Sequence, residues 1–469
     1  MGARLAQRPR TGVLVSRPAS TPRQVALDVI HAVSADDAYA NLLLPTRLRR
    51  ARLGTQDAAF ATELTYGTLR RRGFYDRVIV LAAGRDLAAI DPIALDILRL
   101  GAHQLLGMAT ATHAAVSETV ALTRWVGASR VTGFVNAVLR RVSERDEPAW
   151  TARLLDSVAD ADERLAIEFA HPAWVVHALR SALQREDRAS ELPDLLAADN
   201  AAPRVMLVAL PGLAEPTELG DPSRFAPTAV LSAAGDPGAH PLVAAGRARV
   251  QDEGSQLAAL ALSRYRPTVP GERWLDLCAG PGGKAALLAA EALRGGAVLV
   301  ANEIFPARAK LVRAALHAVD PTVEVRVTDG RLVGELEPGS YDRILLDAPC
   351  TGLGALRRRP EARWRKSEHD LKALTTLQGE LLRSAVVALA PGGVLAYVTC
   401  SPHPEETTAI VEALLAEMPD HVSPLDARET LSAITRTPLD LGDVAHGAAQ
   451  LWPHRHGTDA MFIQLLTRR

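Results

Sequence analysis

One ten-residue stretch carries more information about the fold than any other part of the chain: Leu275-Asp276-Leu277-Cys278-Ala279-Gly280-Pro281-Gly282-Gly283-Lys284. Its apolar start is typical of a buried strand, and the glycine-rich turn runs into a segment of helix length. Glycines let a ligand come close to backbone N–H groups, and the start of a helix favours a carboxylate or a phosphate. Alone this signal is weak, but it predicts a strand–turn–helix unit that holds a ligand.

Five further strands are predicted in the C-terminal part of the chain, and helix-length stretches separate most of them. Together with the first strand they are Arg273–Cys278, Ala297–Asn302, Val323–Val327, Arg343–Asp347, Val394–Cys400 and Met461–Leu466. Alternation of strands and helices is the signature of a doubly wound parallel sheet. Such sheets bind ligands at the carboxyl ends of their strands, so we expect the functional residues there.

Acidic side chains follow three of these strands: Glu303, Asp329 and Asp347. An acid after the second strand suits the ribose hydroxyls of a nucleoside. Each acid taken singly is better explained as a loop carboxylate or a helix cap, but the set is harder to dismiss. Because the turn lacks the glycine spacing of a dinucleotide site and no P-loop motif occurs, the set favours an adenosine-bearing ligand without phosphates.

Two cysteines lie at the ends of adjacent predicted strands. Cys350 follows the fourth strand and Cys400 the fifth, and Cys278 is the only other cysteine in the chain. A single cysteine is most often a buried core residue, and three are too few and too odd a number for a disulfide framework. We expect no metal site, because CxxC-type spacing with histidine support is missing. A disulfide between the two thiols is conceivable but disfavoured in a reducing compartment.

A thiolate beside a methyl donor suits methylation of a pyrimidine carbon. Cytosine C5 is too weak a nucleophile to take a methyl group directly, so an enzyme thiolate first adds to C6. Loss of the C5 proton and elimination of the thiolate then restore the ring, and this second stage needs a base or a helper. Two cysteines therefore suit two stages. We expect Asp347 to hydrogen-bond the N3 or N4 edge of a base that has left its stack.

The N-terminal part of the chain is helical and basic. Apolar residues recur three and four positions apart in Pro22–Val33, Asp57–Arg70, Pro92–Leu106, Ala114–Trp125 and Val131–Val142. Residues 1–150 hold 20 Arg, no Lys and 13 acids, a net charge of +7, and the remaining 33 basic and 41 acidic residues give −8. A basic domain is a candidate nucleic-acid surface, and a solvated helical surface explains the charge about equally well. Within Pro92–Leu106 we expect Asp96 and Arg99 to point away from the packed face.

Composition and spacing divide the chain into four segments. We interpret residues 1–20 as a disordered arm, 21–146 as the helical domain, 147–249 as a small middle domain and 250–469 as the α/β domain. No run of about 18 apolar residues occurs, so we expect no membrane association. The few cysteines favour a reducing compartment, and we expect a cytoplasmic monomer.

The chain resembles the bacterial 16S rRNA cytosine-C5 methyltransferases called RsmB or Sun. Besides the glycine-rich turn and the two cysteines, the resemblance rests on Thr62–Arg70, Phe134–Arg140, His171–Trp174, Val250–Gln256 and Leu451–Asp459. It implies an N-terminal all-α NusB-like helical bundle, a small α/β middle module and a C-terminal Rossmann-like fold of the class I S-adenosylmethionine-dependent methyltransferases. Two departures are the Ala460-Met461 pair in place of Gly-Phe, and Arg204–Leu210, which lacks the family's Arg-Val-Asn strand.

The resemblance also implies roles for individual residues. Cys400 is the nucleophile, Cys350 promotes product release, and Asp347 serves both catalysis and cofactor binding. The implied contacts of S-adenosylmethionine are Cys278, Ala279, Gly280, Pro281, Gly282, Gly283, Lys284, Glu303, Asp329 and Asp347. DNA cytosine methyltransferases use the cysteine that corresponds to Cys350 as nucleophile and lack the other one, so the pair indicates an RNA substrate.

A basic stretch with one aromatic residue, Trp364, follows the Cys350 loop. Its cationic side chains are Arg357, Arg358, Arg359, Arg363, Arg365 and Lys366. Because they stand beside the predicted active site, we favour contact with the RNA backbone over a solvated helix face. Three histidines, His171, His403 and His454, are interpreted as capping or packing residues rather than ligands.

Two alternatives stay open at this point. The first is a NusB-like RNA-binding protein that has lost methyltransferase activity and serves in ribosome assembly, although retention of both cysteines, Lys284 and the acids argues against it. The second is the same chemistry on tRNA. The NusB-like domain favours 16S rRNA, or an assembly intermediate of the small subunit, as the partner.

Overall fold

The structure is a computed structural model that describes residues 21–108, 110–233 and 235–469. The predicted arm at residues 1–20 lies outside this range. The chain divides into two compact units, residues 1–171 and 172–469. Residues 147–171, which we expected in the middle domain, belong to the first unit, where their two helices contact an earlier helix of the bundle.

The N-terminal unit is all-α, as the helical periodicity predicted. Its described α-helices are α1 (Pro22–Ala35), α2 (Ala40–Ala51), α3 (Thr55–Arg70), α4 (Arg72–Ala83), α5 (Pro92–Ala102), α6 (Thr112–Trp125), α7 (Thr132–Val142), α8 (Glu147–Leu155) and α9 (Ala161–Glu168). Several of these helices have a capping side chain at their N-terminus. The Thr21 side chain accepts a hydrogen bond from the Gln24 N–H at 3.3 Å, and that of Asp91 accepts one from the Ile93 N–H at 3.2 Å. Apolar side chains of α1, α3, α4, α5 and α7 form the core of the unit.

Helix α5 corrects one expectation, because Asp96 and Arg99 are both buried. Arg99 donates to Asp76 at 2.6 Å and 2.9 Å, and to Asp96 at 3.0 Å. His31 shares a further hydrogen bond of 2.9 Å with Asp96. Charges are tolerated in a protein interior when they are paired and hydrogen-bonded, so Asp96 and Arg99 belong to an internal ion-pair network and do not point away from the packed interior.

The C-terminal unit begins with a small α/β part. It contains α10 (Ala173–Gln184), α11 (Leu192–Asn200), α12 (Pro241–Ala244), β1 (Met206–Ala209), β2 (Ala229–Leu231) and β3 (Ala248–Val250). The three strands form an antiparallel sheet of order β2–β1–β3. The segment Arg204–Leu210 thus supplies the central strand despite its departure from the family pattern. Leu207, Val208 and Ala209 are buried there, so burial of an apolar run is sufficient to define the strand.

The larger sheet has the strand order β10–β11–β8–β7–β4–β5–β6, with β9 paired to β11. Its strands are β4 (Arg273–Asp276), β5 (Val298–Asn302), β6 (Glu324–Arg326), β7 (Tyr341–Asp347), β8 (Leu389–Thr399), β9 (Val422–Leu425), β10 (Ala449–Gln450) and β11 (Phe462–Arg468). Strands β4 to β8 are parallel, and β11 is antiparallel to β8. All six strands predicted from the sequence are confirmed, and the last one makes the sheet mixed.

Helices cover both faces of this sheet. They are α13 (Glu253–Ser263), α14 (Gly283–Gly295), α15 (Pro306–Leu316), α16 (Val333–Leu336), α17 (Glu368–Ala388), α18 (Thr408–Glu417), α19 (Ala427–Ile434) and α20 (Pro453–His456). Trp274 packs with the layer that contains α13 to α15, and its neighbour Leu275 with the layer of α17 and α18. Strand order reverses at β4, which places the switch point beside the glycine-rich turn. Over the ranges described above, no helix has the length and apolar character needed to traverse a bilayer.

Candidate active site

The glycine-rich turn joins β4 to α14 and is tied to the neighbouring strand. The Ala279 N–H donates to the Asn302 carbonyl at 2.8 Å, which fixes the turn against the end of β5. Gly282 has a φ of 106°, a left-handed value that L side chains rarely adopt. A Cβ at Gly282 would also lie 2.6 Å from the Cβ of Ala315 in α15. Glycine is therefore required here by both backbone conformation and packing.

The two acids that follow β5 and β6 have different surroundings. Glu303 is buried, and its carboxylate lies so close to the turn that a Cβ on Gly280 would be 2.0 Å from Glu303 Oε2. Asp329 accepts a hydrogen bond from the Arg331 N–H at 3.0 Å and pairs with the Arg331 guanidinium at 2.6 Å. Both acids thus have the capping role that we considered for each acid singly, because Glu303 Oε1 accepts a hydrogen bond from the Phe305 N–H at 3.0 Å. Glu303 Oε2 also lies 3.4 Å from Arg308 Nε, and of the two acids Glu303 is the one that lies against the turn.

A lysine and two acids meet where β4 and β7 end. Lys284 Nζ donates to Asp347 Oδ2 at 2.8 Å. Burial disfavours the ammonium, but the charge and the hydrogen bond of Asp347, together with the charges of Cys400 and Asp276, outweigh burial and raise the pKa of Lys284. Asp276 is 1% exposed, and neither of its carboxylate oxygens makes a hydrogen bond of ordinary geometry with the described residues. Burial, followed by the charge of Asp347, raises the pKa of Asp276 to about 8. Its surroundings therefore favour the protonated form of Asp276.

The two cysteines of the neighbouring strands β7 and β8 lie together. Cys350 Sγ is 3.4 Å from Cys400 Sγ. Two backbone hydrogen bonds set this approach, from the Ala348 N–H to the Val398 carbonyl and from the Gly354 N–H to the Cys400 carbonyl, both at 2.8 Å. The prediction that parallel strands bring both thiols to one sheet edge is confirmed. Cys278 lies in the glycine-rich turn, where burial raises the pKa of its thiol.

The two neighbouring thiols are chemically unequal. The hydrogen bond from Cys350 lowers the pKa of Cys400, and the positive charges of Lys284 and Arg359 act in the same direction against burial. The same hydrogen bond, together with burial and the negative charges of Cys400, Glu406 and Asp347, raises the pKa of Cys350. Since the thiolate is the nucleophilic form of cysteine, the pair favours attack by Cys400 with Cys350 as a hydrogen-bond donor.

The basic stretch after the Cys350 loop is largely turned inward, which corrects part of our prediction. Arg357 and Arg363 are 7% and 0% exposed, and Arg363 donates to Asn200 Oδ1 at 2.9 Å. Arg358 pairs with Asp459 through two contacts of its Nε at 3.0 Å. An enclosed side chain offers no surface to a polynucleotide, so Arg357 and Arg363 are internal anchors of the loop. The partly exposed members of the stretch are Arg358, Arg359, Arg365 and Lys366.

Two buried acids that hold this loop were not recognised as site residues in the sequence. The Asp459 N–H donates to Asp252 Oδ1 at 3.0 Å, and Arg357 Nη2 lies 3.6 Å from a carboxylate oxygen of each acid. Burial and the charge of Asp459 raise the pKa of Asp252 to about 6. Both acids fall in stretches that carried the family resemblance, so the motif was the available signal. Their pairing with arginines of the Cys350 loop is visible only in the folded chain.

The histidines have the capping and packing roles that the sequence suggested. His403 Nδ1 accepts a hydrogen bond from the Glu405 N–H at 3.2 Å and caps a short 3-10 helix, Pro404–Glu406. His171 donates to a backbone carbonyl at 2.8 Å, and His454 is 2.9 Å from a glutamate carboxylate.

Two family models match the chain. The model of the NusB family matches residues 20–144, and the model of the 16S rRNA methyltransferase RsmB/F matches residues 266–467. A Mycobacterium tuberculosis protein named as a methyltransferase is 48% identical, and the alignment covers 96% of this chain and 97% of that protein. The ribosomal RNA small subunit methyltransferase B of Pseudomonas putida is 33% identical, with 85% and 89% covered.

Solved structures share the fold. The crystal structure of PH0851 superimposes with a TM-score of 0.79 at 23% identity, covering 96% of this chain and 100% of that one. A methyltransferase homolog protein from Pyrococcus horikoshii superimposes with a TM-score of 0.53 at 22% identity, covering 66% and 100%. At these identities the likeness shows the fold alone. Together with the family models it confirms the predicted fold class, a NusB-like helical part followed by an α/β methyltransferase fold.

Proposed function

This chain belongs to the RsmB/F family of 16S rRNA methyltransferases, and we propose that it methylates C5 of a cytosine in 16S rRNA through a covalent adduct on Cys400. The family depends on S-adenosylmethionine. The observation that carries the proposal is the 3.4 Å contact between Cys350 Sγ and Cys400 Sγ at the ends of two adjacent parallel strands. Two thiols in contact, with the thiolate favoured on one of them, are what a two-stage reaction needs.

The residues around the glycine-rich turn fit an adenosine-bearing methyl donor. The turn gives a ligand access to backbone N–H groups, Glu303 offers a buried carboxylate beside it, and the carboxyl of Asp276 makes no hydrogen bond of ordinary geometry with the described residues. The bound cofactor would supply an electrophilic methyl group on its sulfonium. We propose as its contacts the residues Cys278 to Lys284, Glu303, Asp329 and Asp347. Asp329 can take part only if its ion pair with Arg331 opens.

In the first stage, the Cys400 thiolate adds to C6 of the flipped cytosine and forms a carbon–sulfur bond. The electron pair of the C5–C6 double bond moves onto C5 and toward N3, so that C5 becomes nucleophilic. C5 would then take the methyl group of the bound cofactor, whose methyl–sulfur bond breaks and leaves a neutral thioether. Asp347 holds Lys284 through Oδ2, which leaves Oδ1 for the N3 or N4 edge of the base. Because Oδ1 can only accept, it takes a hydrogen bond from the N4 amino group or from a proton on N3. It thereby favours the N3-protonated base, in which the negative charge that develops in the ring during addition is neutralised.

In the second stage, the methylated base must leave the enzyme. A base removes the C5 proton, the C5–C6 double bond forms again, and the electron pair of the C6–S bond returns to Cys400. Cys350 lies within hydrogen-bonding distance of that sulfur and is held as a neutral thiol. Its hydrogen bond therefore stabilises the departing Cys400 thiolate, and in this way Cys350 promotes release of the product.

The RNA partner is proposed from charge and from family membership. Residues 1–150 carry a net charge of +7, which suits the phosphate backbone of an RNA. Near the thiols, Arg359, Arg365 and Lys366 are partly exposed and are the proposed contacts of the strand that carries the target base.

Labelling tests the proposal directly. Native protein and the Cys400→Ala variant are incubated with methyl-labelled S-adenosylmethionine and with unmodified 16S rRNA or tRNA, and the labelled nucleotide is mapped. We expect 5-methylcytosine at one position of 16S rRNA with the native protein and none with the variant. Label in tRNA alone would show that tRNA and not 16S rRNA is the substrate. Binding of 16S rRNA without label on any RNA would favour an assembly protein that lacks methyltransferase activity.

A further inference from the structure

Glu406 is a buried carboxylate that our sequence interpretation did not single out, and it lies beside the two thiols. It ends the short 3-10 helix Pro404–Glu406 that follows β8, and it is 0% exposed. Its Oε1 accepts hydrogen bonds from the Thr351 N–H at 2.8 Å and from Gln378 Nε2 at 3.1 Å, and its Oε2 accepts one from Thr351 Oγ1 at 2.5 Å. Every one of these donors is a neutral group.

These hydrogen bonds join the residues that flank both cysteines. Thr351 follows Cys350 directly, and Gln378 Nε2 also donates to the carbonyl of Pro349 at 2.8 Å, on the other side of the same cysteine. Thr351 Oγ1 lies 3.0 Å from Ser401 Oγ, next to Cys400. A single carboxylate thus holds the Cys350 loop against the end of β8.

The charges around the thiol pair are arranged asymmetrically. Asp347 acts against ionisation of both cysteines, whereas Glu406 acts on Cys350, and Lys284 and Arg359 favour ionisation of Cys400. Within the described residues Glu406 has no salt bridge, so its negative charge is offset by neutral donors only. Other ionisable groups that interact with this cluster are Tyr397, His403, Arg358 and Asp276.

We propose that Glu406 is a positioning residue whose charge keeps Cys350 as a thiol, so that the negative charge of the pair resides on Cys400. This inference rests on the proposed function, in which Cys400 attacks and Cys350 assists release. It deepens that function, because the assignment of the two roles then depends on a residue that touches neither the RNA base nor the cofactor. The hydrogen bonds of Thr351 and Gln378 to Glu406 fix the position of Cys350, and the charge of the Glu406 carboxylate disfavours its ionisation.

Alkylation with iodoacetamide tests the electrostatic part without RNA or cofactor. The modified fraction of each cysteine is measured by peptide mass spectrometry between about pH 6 and about pH 10, a range that includes the free-thiol pKa of about 8.5. Glu406→Gln keeps the shape of the side chain and removes the charge. Glu405→Gln makes the same change at the adjacent, exposed position and is the matched control. Cys278 is an internal reference in each sample.

In native protein and in Glu405→Gln we expect Cys400 to be modified at lower pH than Cys350. In Glu406→Gln the pH at which Cys350 is half modified should fall by about one pH unit. At a given pH this gives about tenfold more modification of Cys350, while modification of Cys278 is unchanged. An unchanged Cys350 profile in folded Glu406→Gln would overturn the proposal. Because this assay does not use methylation, a failure of the proposed function would leave the alkylation result interpretable.

A second variant keeps the proposal testable if Glu406→Gln does not fold. Thr351→Val removes the hydroxyl that donates to Glu406 but leaves the carboxylate charged. Cys350 should then stay as unreactive as in native protein over the same pH range. If Cys350 became readily modified in Thr351→Val, its protection would come from the closed loop alone, and the electrostatic role would be wrong.

Discussion

Replacement of Asp276 by Asn should stabilise the C-terminal unit, and it should do so more at high pH than at low pH. Asp276 ends β4 at the start of the glycine-rich turn and is 1% exposed. Its carboxylate lacks a hydrogen bond of good geometry, and the nearby charge of Asp347 adds to the cost of ionisation. The chain therefore keeps an acid where the charged form is strongly disfavoured.

The magnitude follows from the displacement of the pKa. Burial raises the pKa of Asp276 from 3.8 to about 8. Between these values the folded chain binds a proton that the unfolded chain has lost, so the free energy of unfolding decreases as pH rises. The stability that the folded chain has with Asp276 protonated is fully present below pH 3.8 and is lost as pH approaches 8. At about 1.36 kcal/mol per unit, the change between about pH 5 and about pH 8 is about 3–4 kcal/mol.

Urea unfolding followed by tryptophan fluorescence at about pH 5 and about pH 8 measures this effect. The difference in unfolding free energy between Asp276→Asn and native protein should grow by about 2–4 kcal/mol from the lower to the higher pH, with allowance for relaxation around the charge. The unsatisfied amide of Asn costs the same at both pH values, so it cancels in this comparison. Asp320→Asn, in a surface turn, is the control and should show little growth. A pH-independent difference for Asp276→Asn would refute the reasoning.

Three further predictions concern the thiols, the base of the sheet and the RNA surface. Cys400→Ala should abolish both methylation and covalent capture of RNA, whereas Cys350→Ala should accumulate an RNA–protein adduct on denaturing gels; full activity of Cys400→Ala would reverse the roles. Arg343→Met should lower the unfolding free energy by about 3–5 kcal/mol, because it breaks a fully buried ion pair, while the more exposed Arg264→Met should cost about 1 kcal/mol or less; equal urea midpoints would contradict this. Lys366→Gln should weaken RNA binding and reduce its salt dependence by about one counterion, and an unchanged salt slope would remove Lys366 from the interface.

The sequence was informative about the fold wherever local patterns decide structure. Strands β5 and β8 lie in apolar, β-branched runs, and β4 is buried on both faces of the sheet. A short apolar run therefore predicted each of these three strands. The direction of β11 could not be predicted, because a buried antiparallel strand has the same local composition as a parallel one. The placement of residues 147–171 with the N-terminal helices depends on tertiary packing and not on the charged segment that precedes them.

The candidate site was predictable where chemistry depends on residue type and failed where it depends on distant partners. Cys350 and Cys400 were found because thiols at adjacent strand ends have few alternative explanations. Arg363, by contrast, was interpreted as an RNA contact, because its partner Asn200 is 163 residues away in the sequence. A run of arginines has the same appearance in a sequence whether it faces solvent or neutralises buried acids such as Asp459.

Asp347 connects recognition of the base with the first stage of the proposed reaction through its two oxygens. Oδ2 is held by Lys284, and Lys284 is also one of the charges that favour a thiolate on Cys400. If Asp347 Oδ1 binds the N3 edge of the base, part of its negative charge is neutralised there, and Lys284 is less compensated at the moment when Cys400 must be a thiolate. Binding of the correct base would thereby strengthen the nucleophile that attacks it, which links base recognition to the first chemical step.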